Sequence, residues 1–481
     1  MSGPRPATAE VKRLLADADV VPLVAERPTG RLTPVAAMLA LGAGPGSFLL
    51  ESAEGPEHVA RWSIIGVAPS GSLEGAADED PLTALHDRVL SRRVAPVAGV
   101  EAPFTGGAVG FMAYETARRY ERLPLARCDP LHLPDAWFGV YDTVVVFDHA
   151  QRRLLVVSNV HRDAGDVDET CAAAHRRIQH VEERLDAAPF VDPRAHGDIA
   201  IDVRAYDNSA SMSRSSFHEA VARCHEYIRA GDIFQVQISR RFAARLAGEP
   251  FEVYRALREI NPSPYMFYMA TPSWTLVGAS PEMLVRVTGR EVRYHPIAGT
   301  RRRGRTSADD ERLEQELRTS DKEAAEHLML VDLGRNDVGR CCEVGSVRVS
   351  QLMEVERYSH VMHLVSSIEG RLRPELSAVD ALRVCFPAGT VTGAPKIRAM
   401  EIIAELEGEA RGAYAGAAGY AAYGGNLDTA IALRTVVARD GVAYAQAAAG
   451  IVADSTAHEE ALEIDNKVSA MLHAIEEVNS R

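Results

Sequence analysis

Long apolar runs are missing from this 481-residue sequence, so no membrane-spanning helix of about eighteen or more residues is expected. The segment MSGPRPATAEVKRLLADADV likewise lacks the apolar centre of a secretory signal. Cysteine is scarce: six occur, with neither metal-ligand spacing nor a disulfide-rich pattern, which points to a reducing, cytoplasmic setting. Positive charge is in deficit, 53 Lys and Arg against 67 Asp and Glu, for a net charge of -14. A general nucleic-acid binder needs the opposite balance to displace counterions from phosphates. Nucleotide-cofactor loops are also absent: no G-x-G-x-x-G turn joins a strand to a helix, and there is no Walker A loop.

What remains is an ordinary globular composition, 46% hydrophobic and 25% charged, enough for several domains or one large core. From about residue 20 to 160, short β-rich runs such as GSFLLES, RWSIIGVAP and TVVVFD alternate with Gly, Pro and Asp. Helical spacing then carries ETCAAAHRRIQHVEERLDAA, and periodicity fades from Pro189 to Arg214. This places an N-terminal region at 1–190 and a second at 205–481, sharing one continuous core. In the second, strands such as QVQISRRFAARL, WTLVGAS and MLVRVTG mix with the helical stretches ADDERLEQELRTSDKEAAEHLMLVDLGRND and TAHEEALEIDNKVSAMLHAIEEV. The pattern is α+β rather than a regular βαβ alternation.

Two acidic pairs fall on helix faces. Glu323 and Glu326 stand three apart, and Glu460, Glu463 and Lys467 repeat that spacing further on. Facing one another, such carboxylates would repel unless a hard divalent cation lay between them, and Mg²⁺ suits few oxygen ligands. Spacing alone carries little weight, because solvated helix faces are full of glutamates. The turn-like HPIAGTRRRG is equally ambiguous: its arginines precede ADDERLEQEL, which offsets their charge.

Taken in order, GASPEMLV, PIAGTRRRG, DKEAAEHLMLVDLGRNDVGR, YSHVMHLVSSIEG, FPAGTVTGAPKIRAMEII, IALRT, AAAGIVADS and EEALEIDNK resemble the motifs of the chorismate-utilising enzymes. Within them the chain looks most like the large synthase components of anthranilate synthases. The resemblance runs from about residue 35 to the end. It implies a large β-sandwich of mixed or antiparallel sheets with helices packed outside, and a reaction of chorismate with ammonia giving anthranilate and pyruvate through 2-amino-2-deoxyisochorismate.

The same resemblance implies the site. Mg²⁺ would bind the substrate's ring carboxylate through Glu326 and Glu463, with Glu323 and Glu460 in support. Arg434 and Tyr414 would meet the enolpyruvyl carboxylate, with backbone amides around Ala449 and Gly450 and with Lys467 nearby. Glu282 matches the general acid that protonates the leaving hydroxyl, a role requiring a carboxyl pushed upward by burial. His363 and Thr390 match residues that position the ring, the histidine also serving pyruvate elimination. Gly299 and Thr300 would line the pocket.

Two positions narrow the chemistry. Water-adding relatives carry a lysine where this chain has Gln235, whose amide is not a base at neutral pH. Aminodeoxychorismate synthases carry a nucleophilic lysine where this chain has Ala298. Both changes favour direct attack by ammonia. Because Cys385 in RVCFPAG lacks the glycine-flanked elbow of a glutaminase thiol, the ammonia is expected from a separate glutamine amidotransferase partner. FLLESAEG and NPSPYMFYM resemble the segments of a feedback site for L-tryptophan, with Leu50, Glu51, Ser52, Asn261, Pro264, Tyr265, Met266 and Gly278 in matching positions. Arg302, Ala415 and Ala448 depart from the family pattern of proline, glycine and glycine. The Ala448 change leaves reduced turnover or an enzyme that releases the amino intermediate without eliminating pyruvate open, and a catalytically silent tryptophan-binding subunit is a separate alternative.

Overall fold

The computed structural model describes residues 3–53, 61–75, 80–191, 201–358 and 361–481. Two antiparallel sheets dominate it, one of 11 strands and one of 10, the smaller having Arg348–Arg357 paired to the side of its main path. Between them lies an aromatic-rich core in which Phe48, Ile64 and Leu276 of the first sheet meet Val109, Phe111 and Tyr420 of the second. The Trp274 ring stands edge-on to both Phe111 and Trp137, at 5.1 and 5.4 Å. Helices cover the outer face of each sheet, burying two further large clusters. This is the sandwich with outer helices that the motifs imply.

The two sequence regions interleave. Strand Phe48–Glu51 pairs with Tyr265–Ala270 in the larger sheet, and Gly107–Met112 pairs with Ala417–Ala422 in the smaller. The boundary expected between 190 and 205 falls largely outside the described residues.

Helix ends follow local chemistry. Ser213 caps Arg214–Ala230 by accepting from Ser216 N, and Gly231, at φ +81°, closes it in the left-handed conformation that glycine tolerates. Thr456 caps Ala457–Asn479 in the same way. The acidic stretch read as one helix is two, Ser307–Arg318 and Asp321–Gly339. The second starts afresh because the Ser320 side chain accepts from Glu323 N, offering the backbone an alternative to continuing the first. HPIAGTRRRG is not a turn: Ile297–Arg302 is a strand, bulged between Ala298 and Thr300, with Gly299 at φ +64°.

The chain passes between the sheets at two adjacent points. Strand Thr275–Ser280 of the larger sheet gives way at Pro281 and Glu282 to Met283–Thr288 of the smaller. Leu427–Ile431 of the smaller sheet returns through Leu433 and Arg434 to Thr435–Arg439 of the larger. The crossovers are stitched together, Ile431 N donating to Glu282 O at 3.1 Å and Ala279 N to Arg434 O at 3.2 Å.

Candidate active site

Glu282 sits on the first crossover, 5% exposed, with Oε1 buried and lacking a hydrogen-bond partner. Burial pushes its carboxyl up to about 8, against smaller opposing pulls from the Thr390 hydroxyl and the Lys467 ammonium. Below that pH it carries a proton, as a general acid must. Thr390 lies in the single 3-10 turn Gly389–Val391.

Arg434, on the second crossover, holds a left-handed backbone at φ +46°, a strained conformation for a residue with a side chain. Burial lowers its guanidinium from the ordinary arginine value. Its Nη1 donates to Asn261 Oδ1 at 3.2 Å.

His363 is brought to the same region by strand Val361–Arg371, opposite Thr300 in register. Nδ1 lies 3.1 Å from Gly299 O and 3.0 Å from Thr300 Oγ1. A carbonyl can only accept, so Nδ1 carries the hydrogen and Nε2 keeps its lone pair. Burial, and the nearby Arg434 charge to a lesser degree, bring the imidazole down to about 4, leaving it neutral.

The third wall is the paired end of strands Gln235–Arg245 and Val442–Ile451, where Gly450 stands opposite Gln237 and Ala449 opposite Ile238. Gln235 Nε2 donates to Glu326 Oε1 at 3.2 Å. Lys467 reaches back to Ala448 O at 2.9 Å and pairs with Glu463 at 2.6 Å. Tyr414 is buried beneath, its phenol raised chiefly by burial, with the Arg411 charge and, to a smaller degree, the Ala448 amide pulling the other way. Ala415 beside it adopts φ +61°, which accounts for the family's glycine there.

Glu323 is held by Arg301 Nη1 at 3.0 Å. A Cβ on Gly299 would lie 3.0 Å from Glu323 Oε2, which puts the bulge against this carboxylate. Arg303 pairs with Asp310, so part of the arginine run is offset by the acidic helix as its sequence suggests. The expected gathering of four carboxylates is not seen: among the described residues no three acidic, histidine or cysteine side chains form a metal-holding group. Glu323 is paired with Arg301 and Glu463 with Lys467.

A separate cavity of about 180 Å³ opens between the sheets. Six of the eight residues matched to a tryptophan site line it: Leu50, Glu51, Ser52, Pro264, Tyr265 and Met266. Ser52 Oγ donates to Pro264 O at 2.5 Å, joining the two segments. The Glu51 carboxylate is already engaged by Arg258 at 2.7 and 2.9 Å and by Tyr254 at 2.9 Å. Asn261 and Gly278 are not among the lining residues. Asn261 turns to Arg434, while Gly278 makes room for the Phe267 ring, which a Cβ would approach to 2.0 Å. Sequence reading missed the cavity's partly buried Arg286–Asp428 pair, 2.8 Å apart, whose guanidinium also donates to Tyr265 OH at 3.0 Å. It also missed Gln237, although strand alternation places that residue on the Gln235 face.

This architecture is shared. A family model described as "chorismate binding enzyme" matches residues 46–473, and the chain belongs to that family. It is 48% identical over 473 residues to anthranilate synthase component 1 of Streptomyces coelicolor, covering 98% of this chain and 92% of that one. The corresponding Thermus thermophilus protein is 46% identical, with 92% and 95% covered. Among solved structures, anthranilate synthase component I from Streptococcus pneumoniae superposes with a TM-score of 0.74 at 38% identity, over 86% of this chain and 92% of that one.

Proposed function

We propose that this chain is the synthase component that converts chorismate and ammonia to anthranilate and pyruvate, beside a glutamine amidotransferase that supplies the ammonia. The observation that carries the choice of nucleophile is Gln235 against Glu326 at 3.2 Å: a neutral carboxamide stands where water-activating relatives keep a lysine. With Ala298 offering no amine of its own, a nucleophile that arrives deprotonated is required.

Arg434 and Tyr414 hold the enolpyruvyl carboxylate, helped by backbone amides at Ala449 and Gly450, while Gly299 and Thr300 shape the ring pocket. The ammonia lone pair forms a C–N bond to the ring carbon next to the one bearing the carboxylate. The ring double bonds shift, the C–O bond to the hydroxyl breaks, and that hydroxyl leaves as water with the proton of Glu282. The new ammonium then returns one proton to the Glu282 carboxylate, which balances the step. In the second step neutral His363 takes the proton from the amino-bearing ring carbon through Nε2. Pyruvate's enolate departs as the C–O bond to the ring breaks, the ring becomes aromatic, and the enolate carbon takes up a proton to become pyruvate while His363 gives up the one it took.

The hard carboxylate oxygens of Glu326 and Glu463, supported by Glu323 and Glu460, fit Mg²⁺, and the cations now paired with Glu323 and Glu463 mark where positive charge is wanted. When bound, the ion supplies Lewis acidity toward the ring acid. L-Tryptophan is the inhibitor assigned to the 180 Å³ cavity. Every cysteine is unpaired, which supports a cytoplasmic setting, and no helix among the described residues is long and apolar enough to cross a membrane.

The test is to incubate the chain with chorismate, ammonium and Mg²⁺, and to follow anthranilate fluorescence with and without tryptophan. A product that keeps the pyruvate carbons by mass would instead establish an enzyme stopping at the amino intermediate. No turnover of chorismate at all, with tryptophan still bound, would leave a regulatory subunit.

A further inference from the structure

Arg411 is 1% exposed, and no step described above uses it. It follows helix Lys396–Glu407, which Gly408 closes at φ +73°, so the acid and the base meet across the helix end rather than along its face. Arg411 Nε and Nη2 grip the two oxygens of Glu407 at 2.9 and 2.7 Å. Nη2 also donates to Gln237 O, and Nη1 to Val391 O, both at 2.8 Å. The guanidinium carbon lies 4.7 Å from the centre of the Tyr114 ring and 5.7 Å from that of Tyr414.

These contacts end at or beside the walls of the site. Val391 follows Thr390 in the turn that carries it. Gln237 stands opposite Gly450 in the ladder, and its N–H donates to Thr392 O at 2.9 Å. The Glu407 oxygen that takes Nη2 also accepts from Ser239 N at 2.7 Å, which fixes the same strand two residues on. The Arg411 and Gly412 amides donate to the two Glu115 oxygens at 2.8 and 3.0 Å, setting the loop that runs to Tyr414. A buried ion pair gains little over an apolar pair of similar volume, so stability alone does not call for arginine here. A guanidinium does what an apolar side chain cannot: its donors leave in fixed directions within one plane, and its flat faces stay free to stack on a ring.

We propose that Arg411 is a positioning residue of this active site, one planar group that sets the turn bearing Thr390, the strand facing Gly450 and the Tyr414 ring relative to one another. This inference rests on the synthase reading above and names the residue that holds that site's walls together. Tyr414 and the amides at Ala449 and Gly450 are the groups assigned to the enolpyruvyl carboxylate, so letting them drift weakens the grip on chorismate before it touches the supply of ammonia.

The experiment compares the full-length chain with Arg411→Lys, which keeps a charge beside Glu407 without the plane or the second arm, and with Glu407→Gln, which keeps the arginine and an acceptor for Ser239 but breaks the two-oxygen grip. Anthranilate formation is followed with Mg²⁺ saturating, and the folded fraction is measured by circular dichroism. The chorismate KM is expected to rise about tenfold in Arg411→Lys, the scale of one hydrogen bond to a charged group, and about threefold in Glu407→Gln. The KM for ammonia should stay within about twofold in both. A parental chorismate KM in a folded Arg411→Lys, an equal rise for ammonia, or a fall in kcat that only tracks the folded fraction would overturn the proposal and leave the synthase reading in place. Should Arg411→Lys fail to fold, Glu407→Gln decides, and a parental chorismate KM there overturns the proposal. Failure of the unaltered chain to make anthranilate from ammonia would overturn both.

Discussion

Arg434 donates to Asn261 at 3.2 Å, and this bond joins the proposed substrate anchor to the segment that also borders the cavity between the sheets. Asn261 ends helix Pro250–Ile260, and Pro264 and Tyr265 a few residues on line that cavity. Replacing Asn261 with Leu removes the acceptor but not the guanidinium. The chorismate KM is expected to rise about fivefold, in line with one hydrogen bond to a charged group, with kcat little changed. Steady-state kinetics at saturating ammonia measure the split, and an unaltered KM would show the contact to be incidental.

The protonated state of Glu282 sets a pH limit. Because its carboxyl titrates near 8, the rate corrected for free ammonia is expected to fall as pH rises through that value. Stability moves in the same direction. The folded chain holds this proton when the unfolded chain, titrating near 4.5, has lost it, so stability declines between those values by up to about 1.4 kcal/mol per pH unit. Glu282→Gln is expected to lose turnover and to unfold at a higher temperature than the parent at pH 8. Calorimetry at pH 5 and pH 8 checks this, and the gain should shrink at the lower pH.

His363 with a lone pair on Nε2 belongs to the second half of the reaction. In His363→Ala the amination is expected to continue while aromatisation slows by at least about a hundredfold, the usual scale of a lost general base. Mass analysis should then find the amino intermediate with its pyruvate carbons attached. Fluorescent product at the parent's rate would remove His363 from the elimination step.

The two engaged carboxylates make a prediction about metal. Chelation is expected to abolish activity, and added Mg²⁺ to restore it. Removing the competing cation with Arg301→Ala should lower the Mg²⁺ concentration needed for half activity by several-fold, because Glu323 no longer has to surrender an ion pair. Glu463→Gln should raise it by more than about tenfold. Titrating activity against Mg²⁺ distinguishes the two variants.

Ser52 holds the two cavity segments together through Pro264 O. Ser52→Arg fills the 180 Å³ space with a long cation and breaks that link, so tryptophan inhibition is expected to disappear while the uninhibited rate remains within about twofold. Persistent inhibition would move the effector site elsewhere.

Local chemistry makes much of this fold legible in the sequence. Strand runs such as TVVVFD and the capped helix beginning at Ser213 could be read directly, because alternation and side-chain capping act within a few residues. Glu282 and Arg434 stood out only through family motifs, since nothing in GASPEMLV or IALRT announces that the chain there leaves one sheet for the other. The split at Ser320 was missed because helical spacing continues across it, while a single hydroxyl resets the backbone. The pairing of Glu323 with Arg301 and of Glu463 with Lys467 was equally invisible, because ion pairing is settled by tertiary placement rather than by spacing.

Strand Phe48–Glu51 finds one of its neighbours roughly two hundred residues later, at Tyr265–Ala270. A ribosome would therefore release the first half of this protein long before the edges it exposes can be satisfied. During that interval the young chain offers open β-edges to any passing polypeptide, which makes early synthesis the stage at which a chaperone matters most.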